Sequence, residues 1–320
     1  MTLVYHSFAF DSFDCSGNSE IIAGAEFEQK LLRGGRFRAK LDRLILPASR
    51  LDRGSYTLPG FGRGAIPQGW INFGFTFQVD EPAWVNGVYL KTSDIQLYAE
   101  GSSVDYRSAP NAAWYAFQVR PADLDRCSLD VNGHTISIPK SGFLNLQIHP
   151  CLFAELHSTF DAAFDVGRRN PSSQPLVHAE YIQQQLMRKV VLAISSATGE
   201  TDRRTINAAG QKLSLIRRCE VFLSEHLHDF VSIHDLVHAT GTNERSLEYC
   251  FKDVFGINPQ RWLINARLHR VRRELQTANS FISIQDVAGR WGFHHGGRFA
   301  ASYRELFDEY PRQTLSNRLT

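Results

Sequence analysis

Methionine and cysteine are scarce in this chain of 320 residues, at two and five, and no long apolar run occurs. The cysteines, Cys15, Cys127, Cys151, Cys219 and Cys250, are odd in number and scattered, without a CxxC pair or a histidine at zinc-ligand spacing. That excludes a disulfide framework and a structural zinc and implies a reducing compartment. The longest aliphatic run, Val190 to Ile194, falls far short of the ~20 residues a membrane span needs. The opening MTLVYHSFAF has neither the basic flank nor the apolar stretch of a signal peptide, so a cytoplasmic protein with no membrane partner is expected. Charge of one sign is lacking too: 35 Lys and Arg face 33 Asp and Glu, a net +2. In bulk this argues against a nucleic-acid partner, because phosphate binding rests on basic side chains displacing counterions.

Catalytic signatures are equally sparse. No GxSxG, P-loop or paired-carboxylate pattern occurs, and the first half has no His-x-His of the kind a metal-dependent barrel enzyme needs. His6, His134, His149 and His157 stand alone. No enzyme, metal site or resident cofactor is expected.

What is present is a globular composition, 43% hydrophobic and 21% charged, in a length that suits about two domains. From Gly35 to about Pro139 apolar residues alternate with polar ones, as in Ile71, Phe73, Phe75, Phe77 and Val79, in Tyr115, Phe117 and Val119, and in Ile136 and Ile138. Pro59-Gly60, Asn86-Gly87 and Asn132-Gly133 punctuate these runs, so an antiparallel sandwich or barrel is expected. After Pro150 the period becomes helical, with Leu152, Leu156, Phe160 and Phe164, then Ile182, Leu186, Val190 and Ala193 beyond the polar loop Arg168 to Pro175. The second stripe either finishes the β-domain core or meets a second subunit. A polar stretch, Ser195 to Asn207, reads as a linker into a helical C-terminal domain. The expected organisation is α+β: a β-rich sensor over 1–165, helix and linker with possible dimerisation over 166–210, and an all-α domain over 211–320.

Within that last domain two segments resemble each other. Ile233-His-Asp-Leu-Val-His-Ala-Thr-Gly241 and Ile284-Gln-Asp-Val-Ala-Gly-Arg-Trp-Gly292 share Ile, Asp, an aliphatic residue and a final Gly at equal offsets. Each is a short helix stopped by a turn glycine. Each is followed by a second helix with one apolar face, Leu247, Cys250, Phe251, Val254 and Phe255 in the first and Phe299, Tyr303, Leu306 and Phe307 in the second. Two helix-turn-helix units in tandem are expected, joined by a helix from Pro259 to Gln276 of roughly 27 Å that would set two readers near one DNA turn apart. That helix carries Arg261, Arg267, Arg270, Arg272 and Arg273 with no acid before Glu274, so positive charge is concentrated locally though absent in bulk.

Phe251-Lys252, Gly256-Ile-Asn-Pro259, Arg267-Leu268, Ile284-Gln-Asp-Val-Ala288, Gly292-Phe293 and Phe299 to Arg304 make this segment, about Phe230 to Leu315, resemble the AraC/XylS-type transcription regulators. The resemblance implies a regulator, in the activator sense, that binds double-stranded DNA as a homodimer and engages RNA polymerase. Carried over by position, the first recognition face is Arg245, Glu248, Tyr249 and Lys252, preceded by Asn243. Arg245 suits guanine edges, Glu248 suits the cytosine amino group, and Lys252 suits phosphate. The second face is Gly297, Ala300, Ala301 and Arg304, a departure from the polar readers usual in the family, with His294, His295 and Arg298 nearby. Backbone and thymine-methyl contacts are expected there, and sequence selectivity mainly in the first unit.

Members of this family commonly carry an N-terminal ligand-binding or dimerising β domain, which suggests a cupin-like barrel. The segment Arg33-Gly-Gly-Arg36-Phe-Arg38-Ala-Lys40, followed by Arg43, Asp52, Arg53 and Ser55, is somewhat similar to PilZ domains and to cyclic-diguanylate-responsive AraC-type activators of exopolysaccharide genes. Arginine forks grip both phosphates and guanine edges, so this anionic nucleotide messenger is the expected ligand. The spacing departs from the PilZ pattern, RxxR in place of RxxxR and one extra residue between Asp52 and Ser55. An exposed basic strand face is the plainer alternative. A pocket formed from Trp70, Phe73, Phe75, Phe77, Trp84, Tyr89, Trp114 and Phe117, holding a small amine, alcohol or sugar, is another, as is a ligand-independent dimeric DNA binder.

Overall fold

The alternation of apolar residues in the first half buries two faces at once. A computed structural model of the chain describes residues 3–11, 13, 19–78, 81–169, 176–201, 203–226, 231–278 and 282–317; Cys15, Val79, Phe230 and most of the expected loop before Pro175 lie outside them. The strands run β1 (Val4–Phe10), β2 (Ser19–Ile22), β3 (Ala25–Leu31), β4 (Ala39–Ile45), β5 (Ser49–Tyr56), β6 (Gly60–Ala65), β7 (Ile71–Gln78), β8 (Trp84–Val85), β9 (Val88–Tyr89), β10 (Asp94–Tyr98), β11 (Ser103–Arg107) and β12 (Ala112–Val119). Helix α1 (Pro121–Asn132) and β13 (Phe143–Gln147) follow, then α2 (Pro150–Arg169), α3 (Leu176–Ser195) and β14 (Gly199–Glu200).

One antiparallel sheet has the order β1-β4-β5-β12-β7-β10-β13-β14 and the second β2-β3-β6-β11-β8-β9. Among the described residues neither order returns to its start, so of the sandwich and the barrel expected the sheets fit the sandwich, with open edges, and a closed cupin-like barrel is not seen. On β7 and β12 the positions Ile71, Phe73, Phe75, Tyr115, Phe117 and Val119 join a core with α2 and α3, which supply Leu156, Phe160, Phe164, Leu186 and Val190. Trp114 and Ala116, one residue out of phase, face the second sheet. The α3 stripe therefore finishes this core: Ile182, Leu186, Val190 and Ala193 are all buried in it.

Several segments depart from the sequence reading. Within the stretch read as β lies α1, with Pro121 in its first turn and Gly133 closing it at φ 74°; Ile136 and Ile138 lie outside any strand and pack at the edge of the core. Strand β4 begins only at Ala39, so Arg36 and Arg38 precede it, their backbone tied to the Thr57 hydroxyl, which accepts from the Arg38 amide and donates to the Arg36 carbonyl. The supposed linker contains β14, paired with Leu146 and Gln147 of β13, and the start of the next helix. The boundary expected at 165/166 falls inside α2.

The C-terminal part comprises α4 (Arg203–Glu225), α5 (Ile233–Thr240), α6 (Glu244–Phe255), α7 (Pro259–Thr277), α8 (Ile284–Arg290), α9 (Gly296–Phe307) and α10 (Pro311–Asn317). Helices α4 to α6 and the first half of α7 share one core, into which the sandwich sends Leu32, Phe61 and Trp84. The second half of α7 shares another with α8 to α10, into which the N-terminal part sends Phe13, Leu31, Phe37 and Leu58. Among the described residues no helix is long and apolar enough to cross a membrane.

Candidate nucleic-acid interface

The first unit is built by its caps. Ser232 accepts from the Asp235 amide and Asp235 accepts in return from the Ser232 amide, which closes the start of α5. Gly241 takes φ 65°, where a side chain would be strained, and turns the chain into α6. Asn243, expected at the DNA, is the N-cap of α6 and accepts from the Ser246 amide at 2.8 Å. On α6, Leu247, Cys250, Phe251, Val254 and Phe255 are buried, and Arg245, Glu248, Tyr249 and Lys252 are exposed on the opposite side. A polar face two turns long, anchored by a buried one, can enter a major groove and present a bidentate donor and an acceptor.

The second unit repeats the scheme, α8 being one residue shorter than α5 and α9 as long as α6 at 12 residues. Ser283 caps α8, and Gly292 makes the turn at φ 79°. On α9, Phe299, Tyr303, Leu306 and Phe307 are buried, while Gly297 and Ala301 are exposed and Ala300 is half-buried. His295 occupies the N-cap position without a side-chain capping bond, and His294 and Arg298 are exposed beside it. Arg304 donates to the Tyr310 hydroxyl at 2.7 Å and lies over its ring. A base edge would have to draw it from that contact.

Helix α7 spans about 28 Å by its 19 residues. Its arginines form no single basic stripe. Arg261 pairs with Glu305, Arg267 donates to the Val231 carbonyl, and Arg272 pairs with Glu309 while donating to the Phe13 carbonyl. Arg272 is 2% exposed. Arg270 and Arg273 line a cleft that Lys30, Arg63 and Arg217 share.

At the expected ligand segment, the hairpin of β4 and β5 sets Asp42 opposite Arg53 and Arg43 opposite Asp52. Arg53 bonds Asp42 and Asp161, and Arg43 bonds Asp52 and Glu20. Burial pushes the Asp42 carboxyl up, but hydrogen bonds from Ser7, Arg53, Tyr5 and Lys40 outweigh it and hold the group below its usual range. At Asp52 burial prevails over Arg43 and the carboxyl is raised. Ser55 lies opposite Lys40, half-buried. Arg33, Arg36, Arg38 and Lys40 are exposed; Arg33 lies 3.4 Å from Glu81 and Lys40 3.2 Å from Asp42. The Gly-Gly turn between Arg33 and Arg36 abuts the second unit: a Cβ on Gly34 would fall 1.6 Å from the Glu305 carbonyl oxygen of α9.

The aromatic residues expected around a pocket divide. Phe75, Trp84 and Trp114 line a cavity of about 100 Å³ between the sheets, whereas Phe73 and Phe117 belong to the helix-covered core. Trp70 lies between the guanidinium groups of Arg50 and Arg120, Phe77 packs on Tyr115 and His157, and Tyr89 is exposed. Trp84 Nε1 and Asn72 Oδ1 are buried with no hydrogen-bond partner among the described residues.

Two groups of residues escaped sequence reasoning. At the end of α6, Asp253 accepts from Lys212 at 2.6 Å through its carboxylate, and its backbone carbonyl accepts from Arg107 at 2.9 Å; the Tyr89 hydroxyl lies 3.2 Å from the carboxylate. Along α7, Asn265 donates to the Leu32 carbonyl and His269 to the Leu31 carbonyl. Burial drives the His269 imidazole down to about 3, so it is neutral. The targets are backbone carbonyls, which leave no side-chain pattern to read.

A helix-turn-helix domain family model matches residues 236–317. The chain is 29% identical over 102 residues to the probable thc operon regulatory protein of Rhodococcus erythropolis, covering 32% of this chain and 31% of that protein. It is 34% identical over 98 residues to XylDLEGF operon transcriptional activator 1 of Pseudomonas putida, covering 30% of each. The matched part thus spans about a third of the length of these curated relatives. A solved AraC-type DNA-binding domain from Chromobacterium violaceum is 26% identical, with 34% of this chain and 96% of that one covered at a TM-score of 0.32. Residues 236–317 of the chain are therefore a helix-turn-helix domain, similar in sequence to the matched part of operon regulators such as XylDLEGF operon transcriptional activator 1.

Proposed function

We propose that the chain is a sequence-specific DNA-binding transcriptional activator whose N-terminal sandwich controls, through a ligand, how its two helix-turn-helix units meet DNA. The observation that carries the reading is the exposed set Arg245, Glu248, Tyr249 and Lys252 on a helix whose other face is wholly buried. The first unit reads base edges, the second supplies backbone and thymine-methyl contacts, and dimers engage RNA polymerase at the promoter. A DNA site selected from a random pool should bind the purified chain at least a hundredfold more tightly than a scrambled site at the same salt; equal affinities would sink the proposal.

Cyclic diguanylate is the ligand we place first, held by Arg33, Arg36, Arg38 and Lys40 with Arg43, Asp52, Arg53 and Ser55 behind them. Calorimetry on folded protein tests this directly, and Arg36→Ala with Arg38→Ala should abolish the heat. The inter-sheet cavity favours a second reading. Its volume equals that of about three waters, too small for a dinucleotide, but Trp84 Nε1 and Asn72 Oδ1, without a partner among the described residues, suit a small alcohol or amine. Arg107 lines that cavity and holds the Asp253 carbonyl, so occupancy has a route to α6.

A further inference from the structure

On the exposed face of α6 three residues have a plain counterpart in DNA and the fourth does not. Arg245 offers a donor fork and Glu248 an acceptor to base edges, and Lys252 suits phosphate. Tyr249, the sixth of the twelve residues of α6, is 62% exposed, and among the described residues no other large apolar side chain is exposed as much. An exposed aromatic side chain on a helix ordinarily samples several rotamers and gives up that freedom when it meets a partner. Here the ring is already held.

Lys212 of α4 places its ammonium 4.8 Å from the centre of the Tyr249 ring. A cation over a ring face favours the rotamer that keeps it there. That cation is itself fixed: Lys212 Nζ donates to the Asp253 carboxylate at 2.6 Å, and Asp253 stands one helical turn beyond Tyr249 on α6. Burial pulls the ammonium down, but the hydrogen bond to Asp253 and its charge outweigh burial and hold the group above its usual range. Tyr249, Lys212 and Asp253 thus close a ring of contacts between α4 and α6. The anchoring carboxylate also lies 3.2 Å from the Tyr89 hydroxyl of β9, and the Asp253 carbonyl accepts from Arg107 of β11.

We propose that Tyr249 determines specificity by seating its ring on the 5-methyl group of a thymine in the major groove, and that Lys212 is the positioning residue that sets the ring for that contact. One ring face is taken by the ammonium, which leaves the other face and the edge to the groove. An aromatic face presents no fork of donors to a base edge, and the apolar feature of the major groove is the thymine methyl. Burying one methyl group changes affinity about fourfold. The first unit then reads a thymine besides the bases of Arg245 and Glu248, apart from any methyl met by α9. The inference rests on the DNA-binding reading above and adds a base that it leaves open.

The test uses the full chain and a DNA site it selects from a random pool, with each thymine replaced in turn by deoxyuridine, which removes the methyl alone. One replacement should weaken wild type about fourfold and leave Tyr249→Ala unaffected, whereas methyls met by α9 should cost both proteins alike. Tyr249→Phe should keep the discrimination, since the ring carries it. Lys212→Met, checked for fold by circular dichroism, should reduce it to less than about twofold at an unchanged salt slope, and Lys212→Arg should keep it. Lys212→Gln repeats the comparison with a shorter neutral side chain. If no methyl matters to wild type and not to Tyr249→Ala, the proposal is overturned, as it is by loss of discrimination in Tyr249→Phe, which would make the hydroxyl the contact. Full discrimination in Lys212→Met and Lys212→Gln overturns the positioning role, and a salt slope lower by about one would give Lys212 to the DNA backbone instead. A chain that selects no site sinks the DNA-binding reading and this inference with it; one that selects a site but ignores every methyl sinks this inference alone.

Discussion

Asp253 shows how one residue can fasten the second helix of a helix-turn-helix unit to another part of the molecule. Its carboxylate is met by Lys212 and its carbonyl by Arg107, so the last turn of α6 is held from α4 and from β11 at once. A cation against the terminal carbonyls also suits the helix dipole. Arg107→Ala should leave the fold intact, seen by circular dichroism, and change the DNA affinity of the full chain, measured by fluorescence anisotropy. His269 makes a second residue-level prediction. Its folded pKa, about 3, lies below the ordinary 6.5, so above pH 6.5 both states are neutral and its contribution is whole. As pH falls from 6.5 toward 3 the unfolded chain takes up a proton that the folded chain refuses, and stability drops by at most about 1.4 kcal/mol per pH unit. Urea melts at pH 7.5 and 5.5 should show a loss that is smaller by about that amount in His269→Gln. Neither residue announced itself in the sequence, because His269 acts on a backbone carbonyl and Asp253 is held by partners 41 and 146 residues away. The ion pairs of β4 and β5 did leave a trace. Asp42-Arg43 and Asp52-Arg53 repeat one dipeptide across a hairpin, and antiparallel pairing of such repeats sets each arginine opposite an acid.

Among elements, the helix-turn-helix units were the most legible, because their stops are chemical. Gly241 and Gly256 occupy left-handed positions that favour glycine, and Ser232, Asn243, Asn258 and Ser283 each cap the helix that follows. Asn243→Ala should cost about 1 kcal/mol by denaturant unfolding through the lost cap, apart from any effect at DNA. Helix α1 was hidden because its apolar residues are few and its neighbours alternate, so a short helix passed for a strand segment. Strand β4 was placed three residues early because Arg36 and Arg38 continue its alternation, although their backbone bonds go to Thr57. Gly34 belongs at this scale as well. A methyl there collides with backbone of α9, which cannot yield as a flexible side chain would. Gly34→Ala should therefore loosen the second unit from the sandwich, seen as faster proteolysis between the two with little change in far-UV circular dichroism.

At the scale of the whole molecule, net charge is a poor guide and charge placement a better one. Of the five arginines on α7, Arg261, Arg267 and Arg272 are engaged within the chain, and the recognition faces add only a few cations. The salt dependence of DNA binding should be correspondingly shallow, a log-log slope of about −2 to −4 per subunit. The two layers of the sandwich were readable as alternation, but not their openness, since period two is common to barrels and sandwiches and closure depends on partners far apart in sequence. How the two parts sit together was unreadable for the same reason. The central claim is that the first unit carries base selectivity, with Arg245 and Glu248 exposed on α6 where Gly297 and Ala300 stand at the matching places on α9. It is tested most directly by selecting preferred sites from a random DNA pool with wild type, Arg245→Ala, Glu248→Ala and Arg298→Ala. The first two variants should each lose preference at one or two base pairs of a half-site, by about 1 to 3 kcal/mol. The third should weaken binding with its preferences unchanged. Unaltered preferences in Arg245→Ala and Glu248→Ala, with altered ones in Arg298→Ala, would contradict the account.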